Sequence, residues 1–298
     1  MANLKDLRLR ITSVKSTQKI TSAMKMVAAS KLRRAQAAAE DGRPYAERME
    51  RMLGELTSSL STVEGAPKLL AGSGDAKNHL LVTITADRGL CGGFNGSIIR
   101  KTISKVKELK AEGKNVKLYC LGRKGNDALK YDFSNQIIST LEGLTKNGVD
   151  FAATRDIASD LVRRFDKHEF DVCTIIYNKF VSVISQKVEA QQIIPFPFPE
   201  ALEDEGEVAD KRQNALYLME PSEEEILDDL LPRNISVQLY KALLESNASE
   251  HGARMSAMDN ATRNAGDMLD DLTMTYNRTR QAVITSELIE IISGAEAL

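Results

Sequence analysis

Hydrophobic residues in the first forty positions recur at the spacing of an amphipathic helix. Spacings of three and four alternate at Leu4, Leu7, Ile11 and Val14. An apolar stripe continues on an adjacent face at Ile20, Met24 and Val27. No glycine or proline precedes Gly42 and Pro44, so the pattern predicts a helix of about 40 residues and roughly 60 Å. Pro44 is expected to kink or interrupt it before helix resumes from Tyr45 to about Leu60.

A second pattern, of short β-branched runs separated by helical stretches, follows a small-residue segment (Val63 to Gly74) that is typical of a linker. The apolar runs are His79 to Thr85, Val116 to Leu121 and Asp171 to Tyr177. Helical patterns around residues 96 to 112 and 151 to 167 separate them. This alternation predicts a parallel, doubly wound α/β sheet in a domain of residues 75 to 215, to which the run VSVISQKVEAQQI could add an antiparallel strand.

Helical pattern returns after a segment that cannot be regular. Three alternate prolines and a run of acids make Pro195 to Glu207 a loop. Ser222 with Glu225 three residues later is a capping box that opens a helix. Pro232 is a candidate kink, and only Gly252 and Gly266 interrupt the run to Ser293. A helix of about 70 residues would reach roughly 105 Å, which requires a partner along much of its length.

The C-terminal helix carries a heptad pattern for such a partner. One set of small or apolar positions, seven residues apart, is Met258, Ala265, Leu272, Thr279 and Ser286. A second set, three residues later, is Ala261, Met268, Thr275, Ala282 and Ile289. The simplest partner is the first helix of the same chain, running antiparallel. A homodimeric coiled coil is the alternative.

The last fifteen residues form an apolar helix tip. Its large residues, Leu288, Ile289, Ile291 and Ile292, point to every side of the predicted helix. Such a surface is unstable in water, so the tip is predicted to be enclosed by another protein.

Charge and composition narrow the class of protein. The net charge is -2, aromatic residues make up 5% of the chain and tryptophan is absent, which suits long helices. Residues 1 to 35 contain nine Lys or Arg against Asp6, whereas residues 200 to 231 contain twelve Asp or Glu. These are either solvated surfaces or faces for partners of opposite charge. No run is apolar enough to span a bilayer and no signal peptide is recognisable, so we expect a cytosolic chain or one attached to a membrane only through partners.

Candidate chemistry is sparse. Cys91, Cys120 and Cys173 lie in or beside apolar strands and are expected to be buried, reduced thiols. Glycines crowd the turn after the first strand, at Gly89, Gly92, Gly93 and Gly96, and recur at Gly122 and Gly125. The spacing matches neither the Rossmann fingerprint nor the P-loop, so close packing is favoured over nucleotide binding. His79, His168 and His251 lack a second ligand at metal spacing. We expect no catalytic site, metal or cofactor.

Four separated blocks resemble the gamma subunit of F-type ATP synthases. They are Ile11 to Ala35, Thr85 to Asn95, Ala248 to Ala265 and Tyr276 to Ala295, in the family's order along the chain. The resemblance implies an α/β fold in which a long antiparallel coiled coil of N- and C-terminal helices carries an inserted Rossmann-like α/β domain. The corresponding segments are residues 1–62, 75–215 and 222–298.

This resemblance also implies a function and partners. The family's gamma subunit is the central shaft of a rotary motor and has no catalytic site. It couples proton flow through the membrane ring to ATP synthesis or hydrolysis at the alpha and beta subunits. The implied partners are those alpha and beta subunits, the epsilon subunit and the c-ring, with no nucleic acid and with membrane contact only through partners. The implied location is the cytoplasmic face of a bacterial inner membrane.

Individual residues can be matched to the family's contacts. Arg280 and Gln281 occupy the pair that meets a loop of a beta subunit, and a solvated helix flank is the alternative. Met24 and Lys25 correspond to a stretch facing an acidic segment of beta, with a local core or solvent role as the alternative. The tip residues Leu288, Ile289, Ile291 and Ile292 correspond to those in an apolar sleeve at the top of the ring. Tyr217 and Met219 match a segment near the c-ring, although an aromatic residue is more usual at the position of Met219.

Two other classes of protein remain to be distinguished. A nucleic-acid-binding coiled-coil protein would use the basic first helix against phosphates, with steep salt dependence, but would not need the apolar tip. A nucleotide-dependent enzyme would use the α/β domain, but should show a phosphate fingerprint and acid-base residues. Within the mechanical class, stalks of related rotary ATPases lack the inserted α/β domain.

Overall fold

The computed structural model describes residues 4–59, 67–74, 76–146, 148–196 and 223–296. The chain divides into two compact units. The helical unit combines Met1–Lys31 with Arg254–Leu298, and the sheet unit is Leu32–Ala253. Six α-helices and five strands occur in the described ranges: α1 (Leu4–Ser59), α2 (Lys68–Ala71), β1 (Asn78–Ile84), α3 (Phe94–Ala111), β2 (Asn115–Leu121), α4 (Arg123–Phe133), β3 (Ile137–Leu141), α5 (Phe151–Asp166), β4 (Val172–Phe180), β5 (Gln186–Ile194) and α6 (Glu223–Glu296).

The sheet has the order β3-β2-β1-β4-β5. Strands β1 to β4 are parallel, and Val82 of β1 lies level with Tyr119 of β2 and Ile175 of β4. Strand β5 is antiparallel to β4. The predicted α/β fold with a doubly wound parallel sheet and an added antiparallel strand is confirmed. Strand β3 was not predicted, because its five residues are only half-buried and show no long apolar run.

Apolar residues on the two faces of the sheet build two separate cores. Leu80 and Val82 point towards α5 and the first part of α6, whereas Leu81 between them points towards α3 and α4. This alternation follows from the period of two along a strand. All three cysteines are buried thiols, as expected: Cys173 lies in the first core, and Cys91 and Cys120 lie in the second. Burial raises the pKa of Cys120 to about 11.

Helix α6 contacts both faces of the sheet. Its residues Ile235, Leu239 and Leu243 belong to the core shared with α5. Two turns later, the Ser249 hydroxyl donates to the carbonyl of Asn178 near the carboxyl end of β4, at 3.0 Å. Ala253 then belongs to the core shared with α3. The helix therefore crosses the carboxyl end of β4 from one face to the other.

The predicted interruption of the first helix at Pro44 is wrong. Helix α1 is continuous through this residue. A proline inside a helix removes one backbone hydrogen bond, but Pro44 faces solvent and the turns after it are anchored. Met49 and Leu53 are buried in a third core, together with Leu227 and Leu231 of α6. This packing compensates for the lost bond.

The segment predicted to be a linker is partly packed structure. Its described portion contains the short helix α2, and Leu70 is buried in the third core beside Leu53 and Phe196. The small-residue composition concealed a pair of leucines, Leu69 and Leu70, that supply the apolar surface. The backbone of Leu69 also accepts a hydrogen bond from the amide of Phe196 at 3.0 Å.

In the helical unit, α1 and α6 run antiparallel. Lys25 lies against Asp259, Thr21 against Thr262 and Gln18 against Gly266, so partners move backwards along α6 as they advance along α1. The less exposed positions of α1 keep the predicted alternation: Leu4, Leu7, Ile11, Val14, Gln18, Thr21, Lys25 and Ala28. The predicted antiparallel pairing within one chain is therefore present.

Only half of the predicted seam on α6 is correct. The first set is correct as far as Thr279: Met258 and Ala265 are buried, and Leu272 and Thr279 are half-buried. The second set is wrong, since Met268, Thr275, Ala282 and Ile289 are exposed and Ala261 lies beside the seam. The inward positions come four residues after the first set: Thr262, Leu269, Tyr276 and Val283.

Candidate partner-binding surfaces

A polar layer interrupts the apolar seam of the helical unit. Lys25 Nζ lies 2.6 Å from Asp259 Oδ1, and Arg263 pairs with the other oxygen of that carboxylate at 2.7 Å. One turn away, the Thr262 hydroxyl donates to the Thr21 hydroxyl at 2.8 Å. The hydrogen bond from Lys25 holds the pKa of Asp259 below its usual value. Polar positions within the seam of paired helices fix their register.

Met24 and Lys25 therefore differ in what they can offer a partner. Lys25 already has an anionic neighbour in Asp259, although its side chain remains partly exposed. Met24 is half-buried. The predicted adjacent stripe is on the surface, because Ile20 and Val27 are 60% and 58% exposed. The face that α1 leaves open thus combines apolar side chains with basic ones.

Arg280 and Gln281 lie on the exposed surface of α6. The backbone carbonyl of Gln281 accepts the hydroxyl of Thr285 at 2.9 Å. The pairs Lys25 with Asp259, Thr21 with Thr262 and Gln18 with Gly266 set the antiparallel register. Both helices rise equally per residue, so extending this register towards the start of α1 brings Leu4 level with Arg280. Residues of α6 after this point have no described residue of α1 beside them.

The C-terminal tip is exposed and apolar. The four predicted residues, Leu288, Ile289, Ile291 and Ile292, are 54% to 68% exposed. Ile284, which the sequence analysis omitted, belongs with them. At 100° per residue, the five side chains cover an arc of about 160°. The apolar surface is therefore one broad face of the helix. The expectation from the sequence, that apolar side chains point to every side, is wrong.

The glycine-rich turn after β1 is closed by its own side chains. The Asn95 side chain accepts from the amide of Ala86 at 2.9 Å and donates to the sulfur of Cys91 at 3.2 Å. Beside it, the carboxylate of Asp87 accepts from the amides of Arg123 and Gly143. These bonds hold the turns after β1, β2 and β3 together. The interpretation of the glycines as packing positions holds for Gly122 and Gly125, where a Cβ would meet Thr85, but not for Gly89 and Gly93, where a Cβ would meet nothing within 4 Å.

Helix α6 occupies the place where doubly wound sheets hold ligands. The strand order reverses between β1 and β4, and ligands of such folds bind outside the carboxyl ends at that point. Here Asn178 of β4 donates to the carbonyl of Phe94 at 3.3 Å and accepts the Ser249 hydroxyl through its own carbonyl. Ala253 packs in the same core as Phe94 and Ile98. The crevice is filled by the chain itself.

Two predicted contact residues fall outside the described ranges: Tyr217 and Met219. Within the ranges that the structure describes, no group of three acidic, histidine or cysteine residues could hold a metal ion. A search of the same part of the chain finds no helix with the length and apolar character needed to cross a membrane.

Comparison with known proteins covers the whole chain. A family model described as ATP synthase matches residues 3–298. The chain is 58% identical over 298 residues to the ATP synthase gamma chain of Paramagnetospirillum magneticum, and the match covers 100% of both chains. It is 59% identical over 301 residues to the ATP synthase gamma chain of Rhodospirillum rubrum, again with 100% of both chains covered.

Solved structures give the same fold. The central stalk and c-ring structure of the Tetrahymena thermophila mitochondrial ATP synthase contains a chain that is 29% identical, with a TM-score of 0.58. The match covers 81% of this chain and 99% of that chain. A chain in the rotor of the Euglena gracilis mitochondrial ATP synthase is 19% identical with a TM-score of 0.64, covering 94% and 98%. At that identity the second match shows the fold alone.

Proposed function

The chain belongs to the gamma-chain family of F-type ATP synthases, and we propose the contacts through which it performs that family's function. It is the central-stalk rotor subunit of the complex and not its catalytic subunit. The family assignment therefore favours the rotor interpretation over the nucleic-acid and nucleotide-enzyme alternatives. The residues and partner subunits that follow are proposals.

The apolar tip of α6 enters the ring of alpha and beta subunits. The single observation that carries this proposal is the exposed apolar face from Ile284 to Ile292. It lies where no described residue of α1 can cover it. A monomer gains nothing from such a face, whereas an enclosing apolar sleeve would remove it from water. Because apolar contacts are non-directional, a sleeve would hold the tip without opposing its rotation.

Arg280 and Gln281, at the base of the tip, meet a loop of a beta subunit. Both side chains are exposed, and the guanidinium of Arg280 has a planar set of donors suited to carboxylate or amide oxygens. Met24 and Lys25 face an acidic segment of beta. Lys25 is already paired with Asp259, so its charge is partly neutralised within the chain. Met24 and the exposed Ile20 and Val27 add an apolar part to the contact.

The α/β domain contacts the epsilon subunit and the c-ring. Tyr217 and Met219 are assigned to this contact because they match the family's segment near the c-ring, although an aromatic residue is more usual at the position of Met219. We propose that the chain lies at the cytoplasmic face of a bacterial inner membrane, as a peripheral subunit of the complex. The full-length similarity to the gamma chains of Paramagnetospirillum magneticum and Rhodospirillum rubrum supports this proposal.

Coupling requires the rotor to favour a different state at each catalytic site. Moving a two-state equilibrium from 1:99 to 99:1 takes about 5.5 kcal/mol of differential binding. The surface of the helical unit is asymmetric, with a basic and apolar face on α1 and an arginine with an apolar arc on α6. Contacts of such different chemistry can bias three sites differently as the rotor turns.

Reconstitution tests the proposal. The purified chain is mixed with alpha and beta subunits of a matching synthase, and assembly and ATPase activity are measured with and without residues 287–298. We expect a complex of three alpha, three beta and one gamma, with turnover that depends on this chain and assembly or torque that weakens on truncation. A matched control replaces Val181 and Ile184, which are also exposed and apolar, with serine. If the truncation behaves like this control, the tip does not bind the ring.

A further inference from the structure

An ion pair with a buried carboxylate and a partly exposed arginine holds the end of β4 between the two long helices. Glu245 of α6 is 1% exposed. One of its carboxylate oxygens accepts from Nε of Arg43 on α1 at 2.7 Å, and the other accepts from the amide of Phe180 at 2.9 Å. Arg43 also donates through Nη2 to the carbonyl of Phe180 at 3.3 Å. Both backbone groups of the last β4 residue are thus held by side chains from α1 and α6.

Further contacts extend this attachment along α6. One turn after Glu245, the Ser249 hydroxyl donates to the carbonyl of Asn178 at 3.0 Å. Three residues later, a Cβ on Gly252 would lie 3.4 Å from the carbonyl oxygen of Val183 in the turn between β4 and β5. Successive turns of α6 therefore lie directly against the end of β4 and the turn that follows it.

Directional bonds at this place have a mechanical consequence. The apolar cores around α6 resist separation, but apolar contacts carry no directional preference and slide more readily. Charge-assisted hydrogen bonds fix distance and angle together. The hydrogen bond that Arg43 donates to Glu245 raises the pKa of Arg43 above its ordinary value, so the guanidinium remains charged. Sliding α6 or α1 past β4 would leave the buried Glu245 carboxylate without partners, which is strongly unfavourable.

We propose that Arg43 and Glu245 form a torsion-bearing joint that transmits rotation of the α/β domain to α1 and α6. The inference rests on the proposed rotor function and names the positioning residues for it. Neither residue is among the predicted partner contacts. A second ion pair between these helices in the sheet unit, Lys241 with Glu50, spans 3.9 Å, which is too long for a charge-assisted hydrogen bond.

The test compares proton pumping with ATP hydrolysis in membrane vesicles that contain the whole synthase with this chain. In Arg43→Ala, we expect the assembled amount and hydrolysis to remain while protons pumped per ATP fall. Arg43→Lys keeps the charge and Glu245→Gln keeps the shape, so protons pumped per ATP should fall less in these variants. They keep the test valid if Arg43→Ala fails to fold. Glu50→Ala is the matched control, because it removes an ion pair between the same two helices and leaves both hydrogen bonds to Phe180 in place, and it should pump like the native complex.

Hydrogen exchange distinguishes a mechanical role from a merely structural one. In Arg43→Ala, the amide of Phe180 should exchange at least about 100-fold faster, as expected when a buried ion pair is broken. If that amide opens while protons pumped per ATP stay native, the joint bears no torque and this inference is overturned, although the rotor function stands. If the native chain itself fails to assemble with alpha and beta, the proposed function fails instead.

Discussion

Gly122 is the residue whose backbone geometry tolerates least change. Its φ is +104°, and a Cβ there would lie 2.0 Å from the backbone oxygen of Thr85. Gly122→Ala should therefore lower the free energy of unfolding by at least about 3 kcal/mol, since both strain and a backbone clash result. Urea denaturation followed by circular dichroism measures it. Gly89→Ala is the control, because a Cβ at Gly89 meets nothing within 4 Å, and a loss as large there would contradict this explanation.

Asp171 shows that a charge can stabilise the start of a strand. Its carboxylate accepts from the Ser73 hydroxyl at 2.6 Å and the Asn78 amide at 2.8 Å. Burial acts to raise the pKa of Asp171, but these hydrogen bonds outweigh it and the pKa lies below its usual value. Because the folded pKa is depressed, this stabilisation is present above the unfolded pKa of about 3.9 and is lost as pH falls through the folded value.

Replacing Asp171 with asparagine should therefore have a pH-dependent effect. At pH 7, Asp171→Asn is expected to lower the unfolding free energy by about 2 kcal/mol, since an amide accepts the same donors less strongly. The difference from the native chain should shrink as the pH is lowered below the unfolded pKa. Urea titrations of both chains over the acidic range measure this. A difference that stays constant with pH would show that shape and not charge is responsible.

At the scale of elements, the sequence predicted the two long helices and most of the sheet, but the phase of one seam was wrong. The second seam position of each heptad on α6 can lie three or four residues after the first, that is, at Ala261 or Thr262 after Met258. Composition alone does not decide between these two positions. The small residues Ala261 and Ala282 favoured the first choice. The structure uses the second, because Leu269 and Tyr276 face the partner helix. Polar partners such as Asp259, opposite Lys25, become visible only when both helices are in place.

The corrected seam makes a direct prediction for neighbouring residues. Leu269→Ala should lower the stability of the helical unit by about 1 to 2 kcal/mol, because it removes a half-buried side chain. Met268→Ala should change it by no more than about 0.5 kcal/mol, since Met268 is 53% exposed. Amide hydrogen exchange of residues 254–280 reports on this unit separately from the sheet. The reverse order of effects would restore the seam that the sequence indicated.

For the whole molecule, the sequence identified the family better than it identified the contacts. Four motif blocks in order sufficed for the family and the fold, which the full-length relatives confirm. The glycine-rich turn resembled a phosphate site, and its spacing argued against that. What fills the crevice could not be predicted, because Ser249 and Ala253 reach Asn178 and Phe94 only through the path of a helix more than fifty residues further along the chain. The joint of Arg43 and Glu245 was missed for the same reason.

The exposed tip is proposed to act in assembly and not in folding, and substitutions in it can distinguish these two roles. Replacing Leu288, Ile289, Ile291 and Ile292 with serine removes apolar side chains that are 54% to 68% exposed. The stability of the sheet unit should not change, because these residues contribute to none of its cores. If a sleeve buries the exposed part of each side chain, each contributes about 1 kcal/mol to assembly. The four together should weaken incorporation into the complex about 1,000-fold.

Competition measures this effect in the assembled protein. Native and substituted chains are mixed in equal amounts with limiting alpha and beta subunits, and the ratio incorporated is determined. Glu287→Gln with Glu290→Gln is the control, since it changes the charge of the same turns and leaves the apolar arc intact, so it should incorporate like the native chain. Equal incorporation of the serine variant would show that the arc stays in water within the complex. A stronger defect in the glutamine variant would mean that charge, and not apolar burial, holds the tip in the ring.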